Sequence, residues 1–540
     1  MSKRNKMCPF CYLRKAFAPK VADAAESGGV YESVARRTPL MGWSSWNTFR
    51  NNISESLILD TAAAMKEKGL LDAGYEYVNL DDNWHSNMRD DNGEWQGDLV
   101  RFARGIPYVV EKLNAMGFKA GIYSSNGTLT CEDLPASLGR EAADARTLAK
   151  WGIEYFKYDF CHNIKISGSA PLVYGIEISE KGSGKSREIQ VSNALLKGLA
   201  RRMKCGDVPG GQYVSGLDEG KGALIFDNVT VDRDGEYVLT VAIKKYGRYE
   251  KYLAVKVNGT EACGIDFPPQ KKFSNTARFQ TVVRLKAGRN EIELYNPVTD
   301  GIASAAIQYR KMAYCLKKAT ADEAARTGRA EKPILFSICE WGWRKPWLWG
   351  ATAGNMWRTT PDIRPWWQWI KLIYARTVKL YKYASAGHFN DPDMLEVGNG
   401  KLTYDQNMSH FALWCMMSAP LVLGNDIRKM SNSVLDIITN KGLIAIDQDA
   451  LGKQAKRVRK GAVDVLAKPL ADGSTAVCFF NKSGRARKVS YDLSALCKDE
   501  YVAMKAFGGK VREVAGKVKV DGSVACAQLP ACGSVVFVVN

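Results

Sequence analysis

The sequence contains no long run of apolar residues, although 46% of its 540 residues are hydrophobic. A helix needs about 20 consecutive apolar residues to cross a bilayer, so the usual length criterion excludes a membrane-spanning segment. The first ten residues are basic, but no apolar stretch of signal-peptide length follows them. The sequence therefore predicts neither a membrane span nor a recognisable secretory signal.

Motifs for zinc, nucleic acid and nucleotide phosphates are also missing. Cys8 and Cys11 form one C-x-x-C pair, but zinc usually needs four ligands and no second pair follows at a fitting spacing. The formal net charge of +19 comes from scattered lysines and arginines, without a nucleic-acid motif. Ser179 replaces the glycine with which a phosphate-binding loop ending at Lys185-Ser186 would begin. We predict no metal site here, no nucleic-acid partner and a generally basic surface.

An apolar and aromatic run at residues 155–161 carries a carboxylate, Asp159, where the run ends. Such a run is typical of a buried parallel strand, and in a barrel the chemistry lies at the carboxyl ends of such strands. An ordinary strand that ends on a turn-forming aspartate has the same pattern. Asp159 is therefore a candidate nucleophile whose assignment depends on whether the pattern recurs.

The same succession of an apolar run and a polar or acidic end does recur, at residues 75–82, 118–123, 334–340 and 388–393. Helical patterns lie between these runs, for example at residues 54–68 and 141–150. Strands that alternate with helices indicate a parallel sheet, and this number of units favours a closed eight-stranded barrel over an open sheet. We predict an α/β fold built on a (β/α)8 TIM barrel.

A chain of this length is expected to contain two to four domains. Short alternating segments bounded by Asn-Gly and Ala-Gly turns predict an antiparallel β-sandwich inserted into a barrel loop. Similar segments near the C-terminus predict a second antiparallel β domain. The predicted boundaries are 1–37 for a weakly structured leader, 38–165 and 309–452 for the barrel, 166–308 for the inserted sandwich and 453–540 for the C-terminal domain.

Aromatic residues lie beside paired carboxylates at the ends of the first two predicted strands. Trp46 ends the first strand, and Asp81 and Asp82 are followed closely by Trp84. Aromatic rings stack on the C–H faces of a sugar, while carboxylates accept hydrogen bonds from its hydroxyls. This combination indicates a sugar pocket, although a core tryptophan beside a solvated acidic turn gives the same pattern.

These motifs resemble those of the retaining α-galactosidases of glycoside hydrolase family 27, over about residues 38–165 and 309–540. The matching stretches are Met41-Gly42-Trp43 with Trp46, Leu80-Asp81-Asp82 with Trp84, Lys157-Tyr158-Asp159, Cys339-Glu340-Trp341, Arg358 with Asp362, Asn390-Asp391-Pro392-Asp393-Met394-Leu395 and Ser418-Ala419-Pro420-Leu421. The resemblance implies a (β/α)8 barrel followed by an antiparallel β domain. It also implies hydrolysis of terminal α-linked galactose with retention of configuration.

On the matching positions, the resemblance implies that Asp159 is the nucleophile and Asp362 the general acid/base. Carboxyls about 5 to 5.5 Å apart allow a covalent glycosyl-enzyme intermediate. Lys157, two residues before Asp159 on the same strand face, would help keep that carboxylate ionised. The substrate-binding residues implied are Trp46, Asp81, Asp82, Tyr123, Lys157, Glu340, Trp343, Arg358 and Asp393.

Three of these positions bear on the choice of sugar. The resemblance implies that Glu340 accepts from a free 2-hydroxyl, which favours galactose over N-acetylgalactosamine. Asp81 and Asp82 fit a hexose with a free 6-hydroxyl, which argues against a β-L-arabinopyranoside. The predicted partner is a galactose-containing oligosaccharide or polysaccharide. Action on one of those other sugars, or sugar binding without catalysis, are the alternatives.

The resemblance further implies a disulfide between Cys131 and Cys161, and hence an oxidising, extracytoplasmic compartment. The thirteen cysteines are an odd number, so at least one has no partner within the chain. The insert resembles a carbohydrate-binding module of family 35 or family 6, with a purely structural sandwich as the alternative. Such modules often hold calcium, but no ligand set for calcium can be recognised here, and we predict no other cofactor.

Overall fold

The computed structural model describes residues 37–180, 185–244, 249–267, 276–504 and 507–540. The predicted leader lies outside these residues except for Arg37, and so do Cys8 and Cys11. Within the described ranges, no helix combines the length and the apolar character that crossing a membrane would require.

Four short, largely buried strands begin the first domain and pair in parallel in chain order. They are β1 (Met41–Ser44), β2 (Tyr77–Leu80), β3 (Lys119–Ser125) and β4 (Tyr155–Asp159), accompanied by helices α1 (Trp46–Phe49), α2 (Glu55–Glu67), α3 (Ile106–Met116) and α4 (Glu141–Trp151). The side chain of Ser54 caps α2 by accepting from the N–H of Leu57. Gly152 ends α4 with φ 76°, a left-handed conformation that glycine adopts without steric cost. These local signals explain why both helices were predictable.

The chain then leaves the barrel and forms two antiparallel sheets. Their strands are β5 (Leu172–Glu180), β6 (Ser186–Gln190), β7 (Leu195–Gly198), β8 (Arg201–Lys204), β9 (Gln212–Ser215), β10 (Gly222–Val231), β11 (Gly235–Lys244), β12 (Lys251–Val257), β13 (Thr260–Phe267), β14 (Thr276–Leu285) and β15 (Gly288–Tyr295). One sheet has the order β13-β12-β15-β10-β7, and the other has the order β14-β11-β5-β9-β8 with β6 beside β5. Leu224, Leu239 and Leu253, which come from both sheets, share one buried core. The insert is therefore an antiparallel sandwich.

The two ends of the insert meet at the barrel. Ile166 and Ile307 lie in one buried cluster with Val298, and the N–H of Ile166 donates to Ser304 Oγ at 2.9 Å. Helix α5 (Gly301–Thr327) begins here, with the side chain of Asp300 accepting from its first N–H groups. The helix predicted near residues 309–320 thus begins earlier, and the predicted boundary between 308 and 309 falls inside it.

The second half of the barrel follows α5. Its strands are β16 (Leu335–Cys339), β17 (Met356–Arg358), β18 (Phe389–Asp391) and β19 (Leu421–Leu423), and its helices are α6 (Trp367–Thr377), α7 (Tyr404–Met416), α8 (Asn432–Ile438) and α9 (Lys441–Asp447). Although the insert separates them in sequence, β16 pairs with β4, and β19 pairs with β1. A parallel bridge between Leu395 and Leu423 joins the remaining two edges. The predicted eight-stranded barrel is confirmed, and all its strands end at the same face.

The C-terminal part of the chain is the predicted antiparallel β domain. Its strands are β20 (Lys456–Arg459), β21 (Val463–Pro469), β22 (Thr475–Asn481), β23 (Arg487–Asp492), β24 (Val511–Ala515), β25 (Lys519–Asp521), β26 (Val524–Leu529) and β27 (Ser534–Val539). They form one sheet of order β20-β21-β22-β27-β24 and a smaller one of order β23-β26-β25. Phe479 and Phe537, with ring centroids 5.2 Å apart, pack in the core between them.

Candidate active site

A cavity of about 330 Å³ opens where the barrel strands end. Its walls come from residues on both sides of the insert in the sequence, and none of the described residues that line it belongs to the insert. Most of the predicted site residues lie in these walls: Trp46, Asp81, Asp82, Tyr123, Lys157, Asp159, Arg358, Asp362 and Asp393.

Asp159 is the last residue of β4, and its side chain reaches the cavity although only 5% of the residue is exposed. Its Oδ1 accepts from the N–H of Phe160 at 2.8 Å. Burial raises the pKa of Asp159 to about 6, against the lowering effect of the Lys157 ammonium. The carboxylate is therefore largely ionised at neutral pH, as a nucleophile must be.

Asp362 follows β17 and has a much more exposed side chain. Arg358 Nη2 donates to its Oδ1 at 2.9 Å. Desolvation raises the pKa of Asp362, but the positive charges of Arg358 and Lys157 outweigh it and hold that pKa below its ordinary value. The charge of Asp362 also raises the pKa of Asp159. The two carboxyls therefore titrate as an interacting pair, and Asp362 can act as an acid only after it gains a proton.

Arg358 also holds Asp393, whose Oδ2 lies 2.7 Å from Nη2. Asp393 has φ 83°, a left-handed conformation that is uncommon for a residue other than glycine. The N–H groups of Ile363 and Met394 donate to its carboxylate at 2.7 and 2.8 Å. These hydrogen bonds stabilise the strained backbone of Asp393 and direct its carboxylate toward Arg358.

A second ion pair joins Lys157 to Asp81, with Nζ 2.9 Å from Oδ2 and both side chains largely buried. Ser44 Oγ donates to the same oxygen at 3.1 Å. The neighbouring Asp82 accepts from the N–H of Glu132 at 3.0 Å, and burial raises the pKa of Asp82 to about 7. The site thus offers one carboxylate that is paired with a lysine and one that can carry a proton, which suits hydroxyl groups that both donate and accept.

The predicted disulfide between Cys131 and Cys161 is present, with Cα atoms 5.2 Å apart. Cys131 Sγ lies 3.7 Å from Asp159 Oδ2 and 3.3 Å from the hydroxyl of Tyr123. In the described part of the chain, these two cysteines and Asp159 are the only close group of three potential metal ligands. Disulfide sulfurs are not thiolates, so they make poor metal ligands, and Cys131 and Asp159 instead form part of the cavity wall.

Two predicted residues, Glu340 and Trp343, do not line the cavity. Glu340 is fully buried, and its Oε2 accepts from the N–H of Arg344 at 2.7 Å. Gly342, with φ 78°, approaches Thr359 so closely that a Cβ would lie 2.2 Å from the Thr359 carbonyl oxygen. In the structure, Glu340 therefore does not reach the cavity, and one carboxylate oxygen binds the backbone of the loop at residues 340–345. Its contact with a sugar 2-hydroxyl stays a prediction.

The folded loop presents Trp341 to the cavity. Trp343 packs against Trp341, with ring centroids 5.4 Å apart, and is 68% exposed at the rim. Arg344 lies over the ring of Phe160 at 4.0 Å, which ties the loop to the segment after Asp159. Glu340 is therefore a positioning residue for two tryptophans.

Replacing Glu340 with alanine is expected to lower kcat/KM for an aryl α-galactoside about tenfold, because the partly buried Arg344 N–H loses its acceptor and the loop loosens. Glu340→Gln, which keeps an acceptor oxygen, should retain most of the activity. Steady-state kinetics with galactosides and N-acetylgalactosaminides would check both variants. A marked shift toward the N-acetylated sugar would instead support the predicted contact of Glu340 with the 2-hydroxyl.

Several cavity residues were missed by sequence reasoning. They are Asn47, Arg50, Trp341, Ile363, Arg364, Pro365, Trp366, Met394 and Glu396. Most lie within a few residues of a predicted one, so proximity to the strand ends was the available signal. Glu396 accepts from Asn47 Nδ2 at 2.9 Å, and burial raises the pKa of Glu396 to about 7.

The charge of Lys157 should affect how kcat/KM depends on pH. In the unmodified protein, the Lys157 ammonium lowers the pKa of Asp159, which is about 6. Replacing Lys157 with methionine removes this cation, so the pKa of Asp159 should rise. The carboxylate then protonates at higher pH, so the acidic limb of kcat/KM should move to higher pH. The limb should be followed with a substrate whose leaving group needs no acid assistance. If the acidic limb of Lys157→Met lies at the same pH as that of the unmodified protein, whatever the residual rate, this electrostatic role is contradicted.

Comparison with known proteins agrees with the geometry of the cavity. The family model described as alpha galactosidase A matches residues 38–178 and 302–449, and the model of the alpha galactosidase C-terminal beta sandwich domain matches residues 460–539. The chain is 31% identical to alpha-galactosidase A of Cellvibrio japonicus, over 86% of this chain and 80% of that protein.

Solved structures show the same architecture. Alpha-galactosidase I of Mortierella vinacea is 25% identical, with a TM-score of 0.62 over 93% of this chain and 97% of that one. An α-galactosidase of Saccharomyces cerevisiae, solved with raffinose, is 22% identical, with a TM-score of 0.60 over 95% and 99%. At that identity, the second likeness is evidence for the fold alone.

Proposed function

Because this chain belongs to the alpha galactosidase A family and is a glycoside hydrolase of the α-galactosidase class, we propose that it removes terminal α-D-galactosyl residues with retention of configuration. The observation that carries this proposal is the meeting of Asp159 and Asp362 in one cavity, where each carboxyl is set in a different environment. Such a pair of carboxyls is what double displacement at an anomeric carbon requires.

In the first step, Asp159 attacks the anomeric carbon and forms a β-linked glycosyl-enzyme ester, while the glycosidic oxygen leaves with a proton from Asp362. Asp362 is paired with Arg358 in the structure, which holds its pKa below the ordinary value, so it must gain a proton before this step. In the second step, Asp362 takes a proton from water, which attacks the same carbon and releases α-galactose and free Asp159.

The walls of the cavity support galactose as the sugar. Asp81 and Asp82 would accept hydrogen bonds from the hydroxyl group outside the sugar ring. Lys157 and Arg358 would donate hydrogen bonds to the oxygens of hydroxyls on the ring. All the described residues that line the pocket belong to the barrel. This arrangement suits a terminal sugar and exo action. We propose galactose-bearing oligosaccharides, such as the raffinose bound to the yeast relative, as substrates.

A panel of nitrophenyl glycosides tests the sugar, and proton NMR of the first-formed product tests the stereochemistry. We expect fastest hydrolysis of the α-D-galactoside and initial release of the α anomer. Faster hydrolysis of the β-L-arabinopyranoside or the α-N-acetylgalactosaminide would reassign the substrate. Initial release of the β anomer would exclude retention.

The inserted sandwich is proposed to be a carbohydrate-binding module. None of its described residues lines the cavity, so its loss should spare hydrolysis of a small substrate while lowering the effective concentration of a polymer at the site. Joining Lys165 through a short Gly/Ser linker to Asp300, which keeps the cap of α5, should preserve the rate on an aryl galactoside and reduce that on galactomannan several-fold. Equal loss on both substrates would show that the sandwich shapes the active site.

The disulfide between Cys131 and Cys161 beside Asp159 supports an oxidising, extracytoplasmic location, since thiols stay reduced in the cytosol. Cell fractionation with an antibody against the protein tests this location. Recovery of the active protein in the cytosolic fraction alone would contradict it.

A further inference from the structure

Two tryptophans at the rim of the cavity are exposed. The sequence has fourteen tryptophans, all of them among the described residues. Within this set, only Trp343 and Trp366 have largely exposed side chains, at 68% and 63%. Leaving so large an apolar ring in water forgoes burial energy, so two such rings at one site indicate a ligand with a flat apolar face.

Both residues are connected to the cavity that contains the proposed acid. Trp366 lines the cavity together with Asp362, and Trp343 packs against Trp341, which also lines it. The two residues follow the neighbouring strands β16 and β17. They are therefore at the part of the rim where Asp362 would protonate a departing oxygen.

The backbone around Trp366 is fixed relative to Asp362. Trp369 Nε1 donates to the carbonyl of Asp362 at 2.8 Å, and Trp366 is the residue before α6. A Cβ at Gly400 would lie 2.7 Å from the carbonyl oxygen of Pro365, so the loop after β18 packs closely there. On the other side, the Glu340 contact with Arg344 folds the loop that carries Trp343.

We propose that Trp343 and Trp366 form a binding subsite for the sugar ring of the leaving group. This inference rests on the proposed function, because it places the departing group on the side of Asp362. The C–H faces of a pyranose stack on indole rings, and Trp343 and Trp366 present such rings to solvent. The preferred substrates are then α-galactosides whose leaving group is itself a saccharide.

The test compares two substrates in Trp366→Ala and Trp343→Ala. Raffinose has a saccharide leaving group, whereas α-galactosyl fluoride has a single atom that no ring can stack on. We expect the ratio of kcat/KM for raffinose to that for the fluoride to fall about three- to tenfold in each variant, mainly through KM. Trp366→Phe, which keeps an aromatic face, should recover most of the ratio.

Leu348→Ala is the matched control, because Leu348 is also exposed, at 57%, lies shortly after Trp343 and does not line the cavity. Its ratio should equal that of the unmodified protein. An unchanged ratio in both tryptophan variants, or an equal loss on both substrates, would overturn the subsite. Failure of the unmodified protein to hydrolyse the fluoride would instead overturn the proposed function.

Discussion

Replacing Asp159 with alanine is expected to lower kcat for a nitrophenyl α-galactoside by about 10⁴-fold or more, because the attacking carboxylate is lost. Azide can occupy the vacated space and attack the anomeric carbon from the same side. Since only one displacement then occurs, the product should be the inverted β-galactosyl azide. Its configuration is read from the proton NMR spectrum.

Asp362→Ala is the matched variant, because it removes the other carboxyl. An activated aryl leaving group needs little acid assistance, so the first step should continue and the glycosyl-enzyme should accumulate. A burst of nitrophenolate and a mass increase of one galactosyl unit on the protein would show this. A retained azide product from Asp159→Ala, or a burst from that variant in place of Asp362→Ala, would reverse the two assignments.

The barrel could be predicted because its strands are buried on both faces, which leaves apolar runs in the sequence that end on polar residues. The run ending at Asp81 is one example, and residues 77–80 of β2 are indeed buried throughout. Strand ends of a barrel converge, so residues that follow such runs could be assigned to one site before their distances were known. This logic pointed to Asp159, whereas Asp362 was assigned through the family resemblance and the ion pairs around both residues were not predicted.

Loop geometry could not be predicted in the same way. The inward turn of Glu340 depends on the positive φ of Gly342 and on its approach to Thr359, neither of which leaves a periodic pattern in the sequence. The start of α5 was misplaced because its first turns are apolar and continue directly from the insert. The residue before Trp366 packs closely against Gly400, in a loop well separated from it in the chain, and no sequence pattern shows this contact.

One further feature with no sequence pattern is a buried charge cluster between the insert and the barrel. Nζ of Lys311, on α5, lies 3.1 Å from Oε2 of Glu141 in the barrel. It also lies 3.8 Å from Oε1 of Glu250 and 3.3 Å from Oδ2 of Asp266, both in the insert. All four side chains are less than a tenth exposed. Burial raises the pKa of Glu250 and of Asp266, and the Lys311 ammonium works against it. One cation therefore compensates carboxyls from both domains.

Replacing Lys311 with methionine is expected to destabilise the protein by about 3 to 5 kcal/mol, because buried carboxylates lose the cation that they face. Thermal unfolding should begin several degrees lower. The matched control is Lys318→Met on the same helix, since Lys318 pairs with Asp322 at 2.7 Å but both are more than half exposed; its effect should be below about 1 kcal/mol.

The loss in Lys311→Met should depend on pH in a defined direction. Without the cation, the folded-state pKa values of Glu250 and Asp266 rise further above their unfolded values, so folding takes up protons and stability falls as pH rises. The gap between the Lys311 and Lys318 variants should accordingly be smaller at pH 5 than at pH 8. Adding Glu250→Gln and Asp266→Asn to Lys311→Met should close much of that gap at pH 8. If the two single variants unfold at the same temperature at both pH values, the cluster does not stabilise the junction between insert and barrel.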